Sequence, residues 1–192
     1  MTPWPVPQPT LTTARLILRP FTAADAPDVQ RYVSEREVAA MTLSIPHPYP
    51  DGAAEQWIGT HAAKYAEGQL ASFAITERET RALVGAIGLH PEPPHNRAEL
   101  GYWIGKPFWG RGYATEAAEA IIGFGFEALG LNKIHAAYFL NNPASARVIE
   151  KLGMAYEGHL REHDLKWGVY EDIKVHAILA REWAARREQR PR

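Results

Sequence analysis

A chain of 192 residues, 46% hydrophobic and 22% charged, suits one domain with a real core and is too short for two full ones. Lys and Arg number 21 against 22 Asp and Glu, a formal charge of −1, which removes the basic excess that nucleic-acid-binding modules set against phosphates. The absence of cysteine excludes disulfides, thiolate metal sites and a cysteine acyl-enzyme. No apolar run reaches the roughly 18 residues of a membrane span, and no basic segment followed by an apolar one opens the chain, so a soluble cytoplasmic protein is expected.

Pro3, Pro5, Pro7 and Pro9 fix alternate φ angles and remove backbone donors, so residues 1–10 are expected as an arm outside the sheet. Residues 16–19 read as a first strand closed by Pro20. Thr22 and Asp25 have the spacing of a capping box that opens a helix through about Val33. The prolines at 46, 48 and 50 then break the chain, and Asp51 is placed to cap a second helix that carries Trp57 and Ile58 towards Gly68. Residues 71–76, 82–89 and 98–104 are rich in β-formers and predict an antiparallel meander. The loop 90–96 holds Pro91, Pro93 and Pro94, which a strand interior does not tolerate.

A glycine-rich stretch follows, then an apolar-periodic helix over 115–129 with Gly130 just past its end. Residues 134–139 predict a strand, 143–152 a short helix stopped by Gly153, and 155–164 and 169–179 two strands joined by a turn at 166–168. The single domain is expected over 11–183, with a polar tail at 184–192; residues from 181 on suit a frayed, solvated helix. The order β, α, α, β, β, β, α, β, α, β, β defines an α+β class rather than a doubly wound parallel sheet.

The strongest local signal is the strand–loop–helix unit of residues 98–129, with glycines at 105, 110 and 112 ahead of the helix start. Glycines let backbone approach a ligand closely, and the free amides and dipole of a helix start favour phosphate oxygens, so a phosphorylated cofactor suits it. Thr115 stands where a dinucleotide fingerprint has its third glycine, and the Gly-Lys-Ser/Thr ending of a P-loop is missing. The eight histidines never form a His-Glu-x-x-His or clustered pattern, so no metal is expected.

Three segments in order, Glu99-Leu100-Gly101-Tyr102-Trp103-Ile104, Trp109-Gly110-Arg111-Gly112-Tyr113-Ala114-Thr115-Glu116-Ala117 and Asn142-Pro143-Ala144-Ser145-Ala146-Arg147-Val148-Ile149-Glu150-Lys151-Leu152-Gly153-Met154, carry a specific likeness. The sequence resembles the GNAT superfamily of acetyl-CoA-dependent N-acetyltransferases, and within it the branch that acetylates the N-terminal alanine or serine of ribosomal proteins. The resemblance runs from about Leu11 to Trp183 and is weakest over 32–69. It implies a mixed, mainly antiparallel sheet of about seven strands flanked by about four helices.

It also implies where acetyl-CoA would lie. Backbone amides of Gly110, Arg111, Gly112, Tyr113 and Ala114, with Thr115 opening the helix, would wrap the pyrophosphate. The pantetheine arm would pair with backbone near Trp103, Ile104 and Gly105, close to Asn142. Trp109 departs from the Gln or Arg common at that loop position, although this branch itself tends to carry Trp there. Arg147 and Lys151, one turn apart, either reach the CoA phosphates or are surface charges.

The reaction sets its own demands. An amine attacks only when neutral, and at pH 7 most α-amines and lysines are protonated. Glu99 matches a superfamily position for the base, and Asp164 is the alternative. The tyrosine that often protonates the leaving thiolate is replaced by Ile149, so Ser145, which matches the branch's Asn-x-x-Ser pattern, becomes the candidate acid. A backbone amide near Ile104 would hold the oxyanion. Without cysteine, direct transfer in a ternary complex is favoured. Tyr49, Trp57 and Trp167 are candidates to line the acceptor cleft. Two readings stay open: an N-acetyltransferase for a protein N-terminus, which the resemblance implies is that of a ribosomal protein, or for a small amine, acting as monomer or homodimer; and a non-catalytic acyl-CoA-binding domain.

Overall fold

The structure, a computed structural model, describes residues 4–189. Strands β1 (Leu11–Thr12), β2 (Leu16–Arg19), β3 (Ala71–Glu77), β4 (Leu83–Glu92), β5 (Arg97–Ile104), β6 (Lys133–Phe139), β7 (Ala155–Lys166) and β8 (Val169–Leu179) form one sheet. Its spatial order is β1-β2-β3-β4-β5-β6-β8-β7, with every neighbouring pair antiparallel except β5 and β6. The helices are α1 (Ala26–Val33), α2 (Arg36–Ala40), α3 (Ala53–Gly59), α4 (His61–Ala66), α5 (Tyr113–Glu127), α6 (Pro143–Lys151) and α7 (Ala180–Gln189). The α+β class and the mixed sheet agree with the sequence; β1, only two residues long, was too short to leave a pattern.

Both faces of the sheet are covered. Leu16, Leu18, Phe73, Ile75, Leu89 and Leu100 pack against Ile121 and Ile122 of α5 on one face. On the other, Ala74, Ala86 and Trp103 meet Val29 and Val33 of α1 and Ile58 of α3. Side chains that alternate along β5 therefore sort by face, Ala98 and Leu100 towards α5 and Trp103 towards α1 and α3.

Several local expectations are corrected. The Thr22–Asp25 capping box forms, but it opens a 3-10 turn over Ala23–Asp25 before α1. The second helix is two, α3 and α4, divided at Thr60, whose hydroxyl donates to the Trp57 carbonyl at 2.9 Å and so competes with helix continuation. Its N-cap is Gly52 at φ 76°, not Asp51. α2 has only five residues and no apolar period to announce it. Pro91 lies inside β4, opposite Ala98; β3 ends opposite Leu89, so at Pro91 the strand has one neighbour and a missing donor costs little. Residues 4–10 need no correction, since they lie outside the sheet; they pack on the body, where the Tyr65 hydroxyl donates to the Pro5 carbonyl at 2.8 Å and Gln8 to the Ser72 carbonyl at 2.8 Å, with Trp4 edge-on to Tyr65. Residues 1–3 and 190–192 lie outside the described residues.

Arg19 closes the start of α1 by gripping Asp25 with two bonds, 2.8 and 2.7 Å. Asp25 is 6% exposed. Burial alone would raise its pKa, but the hydrogen bonds from Arg19 and the Thr22 amide outweigh it and hold the carboxyl below the usual range. Asp25→Ala would leave the guanidinium without its partner, and should lower stability by about 3 kcal/mol at pH 7 in urea unfolding. A lowered folded pKa contributes stability above the ordinary carboxylate range, so the gap between wild type and variant should close as pH falls through Asp25's folded value.

Candidate active site

β5 and β6 are the parallel pair, and their ladder is brief: Arg97 faces Lys133, Ala98 faces Ile134 and Glu99 faces His135. Both strands continue, to Ile104 and Phe139, beyond the last paired residues. The sheet therefore opens past Glu99. A cavity of 730 Å³ fills this region and extends onto the α1–α4 side, lined by Glu99, Gly101, Tyr102, Ser145, Tyr138 and Asp164 among others. Tyr49 and Trp57 stand in its wall. Its floor is a row of small residues in register across three strands, Ser72, Gly88 and Gly101.

Beyond β5 the chain turns through a 3-10 segment at Lys106–Phe108 into the glycine loop. Gly110 and Gly112 lie at φ 75° and 78°, a left-handed backbone that L side chains resist. Gly112 is the N-cap of α5, which begins at Tyr113, slightly earlier than the pattern suggested, and no side chain caps it. The amide of Glu116 is the first to bond back, to the Gly112 carbonyl at 3.1 Å. The amides of Tyr113, Ala114 and Thr115 have no intrahelical acceptor by geometry, and nothing lies within 4 Å of a methyl placed on Gly110. This cradle fits a phosphate.

Glu116, Arg15 and Thr13, none of which the sequence assigned a role, hold this loop. The Glu116 carboxylate accepts from the Thr13 hydroxyl at 2.6 Å and from the backbone amide and Nε of Arg15 at 2.8 and 2.7 Å, while Arg15 also donates to the Arg111 carbonyl at 2.9 Å. The β1–β2 turn thereby braces the helix start. Trp109, at the position of the departure noted above, uses its indole N–H on the Ile104 carbonyl at 2.7 Å. Tyr113 donates to Glu77 at 2.6 Å, which turns its side chain away from the cradle and leaves the amide.

Across the opening, Asn142 caps α6. Its Oδ1 accepts from the Ser145 amide at 3.1 Å, and the residue is buried. The Ser145 hydroxyl accepts from the Tyr102 hydroxyl at 3.1 Å. Burial pushes the Tyr102 phenol up to about 12, against the opposing effect of that bond. Tyr102 is the most consequential residue the sequence reading passed over; it lies inside a quoted motif, but its partner is 43 positions away. Ile149, one turn further along the same face of α6 than Ser145, is buried in the core.

The remaining candidates are spread around this centre. Glu99 and Asp164 both line the cavity, from β5 and β7. Arg147 is exposed on α6. Trp167 stands outside the cavity wall, beside His47 with ring centroids 5.6 Å apart. Next to it Lys166 is buried and donates to the carbonyls of Leu43 and Ile45 at 3.2 and 2.8 Å, which ties the β7–β8 hairpin to the loop that walls the cavity. Among the described residues, no helix is long and apolar enough to cross a membrane.

Comparison with known proteins agrees with this architecture. Residues 15–155 match the acetyltransferase (GNAT) domain family. The chain is 37% identical over 172 residues to the "Uncharacterized N-acetyltransferase YoaA" of Bacillus subtilis, covering 89% of this chain and 97% of that one. A GNAT-family acetyltransferase structure from Bacillus anthracis superposes with a TM-score of 0.81 at 26% identity, over 91% of this chain and 100% of the other. A ribosomal-protein-S5-alanine acetyltransferase from Vibrio fischeri shares the fold, with a TM-score of 0.80 at 20% identity over 91% and 98% of the two chains. The chain therefore belongs to the GNAT family. It is an N-acetyltransferase, and enzymes of this family use acetyl-CoA as donor.

Proposed function

We propose that the chain transfers acetyl from acetyl-CoA directly to a primary amine seated on the α1–α4 side of the sheet, in a ternary complex. One observation carries this: past Glu99 the β5–β6 opening is filled by a cavity lined by two carboxylates, and β5 leads on from it into a glycine-rich loop and helix start. Amides of Gly110 to Thr115 would take the pyrophosphate, and backbone near Trp103, Ile104 and Gly105 would pair with pantetheine beside Asn142. The ammonium proton leaves towards Glu99, with Asp164 as the alternative acceptor. Ser145, hydrogen-bonded by Tyr102, faces the leaving sulfur.

A phenol near 12 cannot hand a proton outright to a thiolate whose ordinary pKa is about 8.5. Tyr102 and Ser145 instead stabilise the sulfur's charge by hydrogen bonds, while the second proton released by the new amide nitrogen neutralises it. Protein N-terminal α-amines head the acceptors to be tested, supported by the fold shared with the Vibrio fischeri enzyme.

The test is release of free CoA with peptides beginning in Ala or Ser, with spermidine and with small amines. Transfer to any of them supports the proposal, and hydrolysis or transfer no faster than the uncatalysed background overturns it. Of Glu99→Gln and Asp164→Asn, the first should lower the rate at least about tenfold, since general-base catalysis supplies roughly 10²–10⁴.

Lys166 offers a separate test of where the acceptor sits. Removing its two bonds to the Leu43 and Ile45 carbonyls frees the cavity wall. Lys166→Met should raise the acceptor KM about tenfold, the equivalent of one charge-assisted hydrogen bond, and leave the acetyl-CoA KM unchanged. Steady-state kinetics with each substrate varied in turn separates the two.

A further inference from the structure

His90 is a titratable cavity residue to which the reaction scheme gives no role. It sits near the end of β4, directly across the ladder from Glu99, which in turn faces His135 on β6. Residues directly opposite in a ladder share a face, so His90, Glu99 and His135 form a row on the side where the acceptor would lie. His90 and Glu99 both line the cavity.

The direction of the ring matters more than its register. A methyl placed on Gly101 would be 3.8 Å from His90 Nε2. The imidazole therefore lies over Gly101, two residues further along β5 than Glu99 and so about 6.6 Å nearer Ile104 and the glycine loop. Gly101 has no side chain to contest that space. From this position the ring lies further along β5 than the Glu99 backbone, towards the end where the thioester would run.

We propose that His90 is the first acceptor of the substrate ammonium's proton and that Glu99 stabilises the imidazolium so formed. The inference rests on the acetyltransfer reading and refines where the proton goes. The ammonium gives one proton to a neutral ring nitrogen of His90, which leaves R–NH2. Its lone pair forms the C–N bond at the thioester carbon. Collapse of the tetrahedral adduct breaks the C–S bond, the nitrogen's second proton neutralises the thiolate, and the imidazolium returns its proton to solvent.

The charged and titratable groups around the ring are Glu99 on β5, Lys64 and His61 on α4, and His135 beyond Glu99. Burial lowers the imidazole's pKa, Glu99 pulls it back up and Lys64 lowers it. The ring is thus neutral and ready to accept at pH 7, with a carboxylate opposite to receive the charge.

The experiment is the pH dependence of kcat at saturating acetyl-CoA and α-amine peptide for wild type, His90→Gln, His90→Asn and Glu99→Gln, with acetyl-CoA affinity measured for each by calorimetry. Both His90 variants should bind acetyl-CoA as wild type does and lose about 10²-fold in kcat at pH 7. That deficit should shrink above about pH 9, where an α-amine of ordinary pKa near 8 is already neutral. Glu99→Gln should keep the acid limb but move it to lower pH. A deficit in the His90 variants that is constant with pH overturns the proposal, as does an acid limb kept in those variants and abolished in Glu99→Gln. A wild-type protein that acetylates none of the amines instead overturns the acetyltransfer reading itself.

Discussion

Gly112→Trp should weaken acetyl-CoA and CoA binding by at least about 100-fold, a loss of roughly 2.7 kcal/mol, in calorimetric titration. The reason is twofold. Gly112 is at φ 78°, where an L side chain costs on the order of 1–2 kcal/mol, and it is the N-cap whose conformation aims the first amides of α5 at the cradle. A side chain there also starts 3.5 Å from the Arg15 guanidinium, the group that braces the loop through Arg111 and Glu116. Gly112→Ala, with the backbone penalty but little bulk, should fall between the two. The residue is exposed, so the fold should survive with a Tm only a few degrees lower. Binding of Gly112→Trp within threefold of wild type would place the cofactor phosphates elsewhere.

The second large effect concerns the leaving group. Ser145→Ala should lower kcat by about tenfold to a hundredfold, the cost of removing one hydrogen bond to a developing charge, with the acetyl-CoA KM little changed. Tyr102→Phe should lower it less, because its hydroxyl acts through Ser145 at 3.1 Å rather than on the sulfur directly. If the two form one relay, the double variant should be no slower than Ser145→Ala alone. Additive losses would assign Tyr102 its own contact with the substrate. The Tyr102 phenol is held near 12, so neither residue should impose an alkaline limb on kcat below about pH 10.

These predictions depend on two kinds of information that differ in origin. The glycines at 110 and 112 and the helix that follows them are local: each is decided by residues within a few positions, and each was legible in the chain. The same is true of the strands β3 to β5, where β-formers alternate between turn residues. The Asn142-to-Ser145 cap is equally local but emerged only from the structure. Division of the second helix at Thr60 and the short α2 escaped because a single hydroxyl bond and a five-residue helix leave no period to read.

What the sequence by itself determined was the α+β class, the glycine loop with the helix start that follows it, and the residue types available for acetyl transfer, since backbone conformation follows from neighbours in the chain. Only the tertiary structure decided which of those residues meet. Tyr102 reaches Ser145 across 43 positions, Glu116 grips Arg15 across 101, Lys166 holds the Ile45 carbonyl across 121, and His90 comes opposite Glu99 through strand register. Such pairings are set by how the strands align and where β5 leaves β6, because the free energy that selects them comes from burying both faces of the whole sheet.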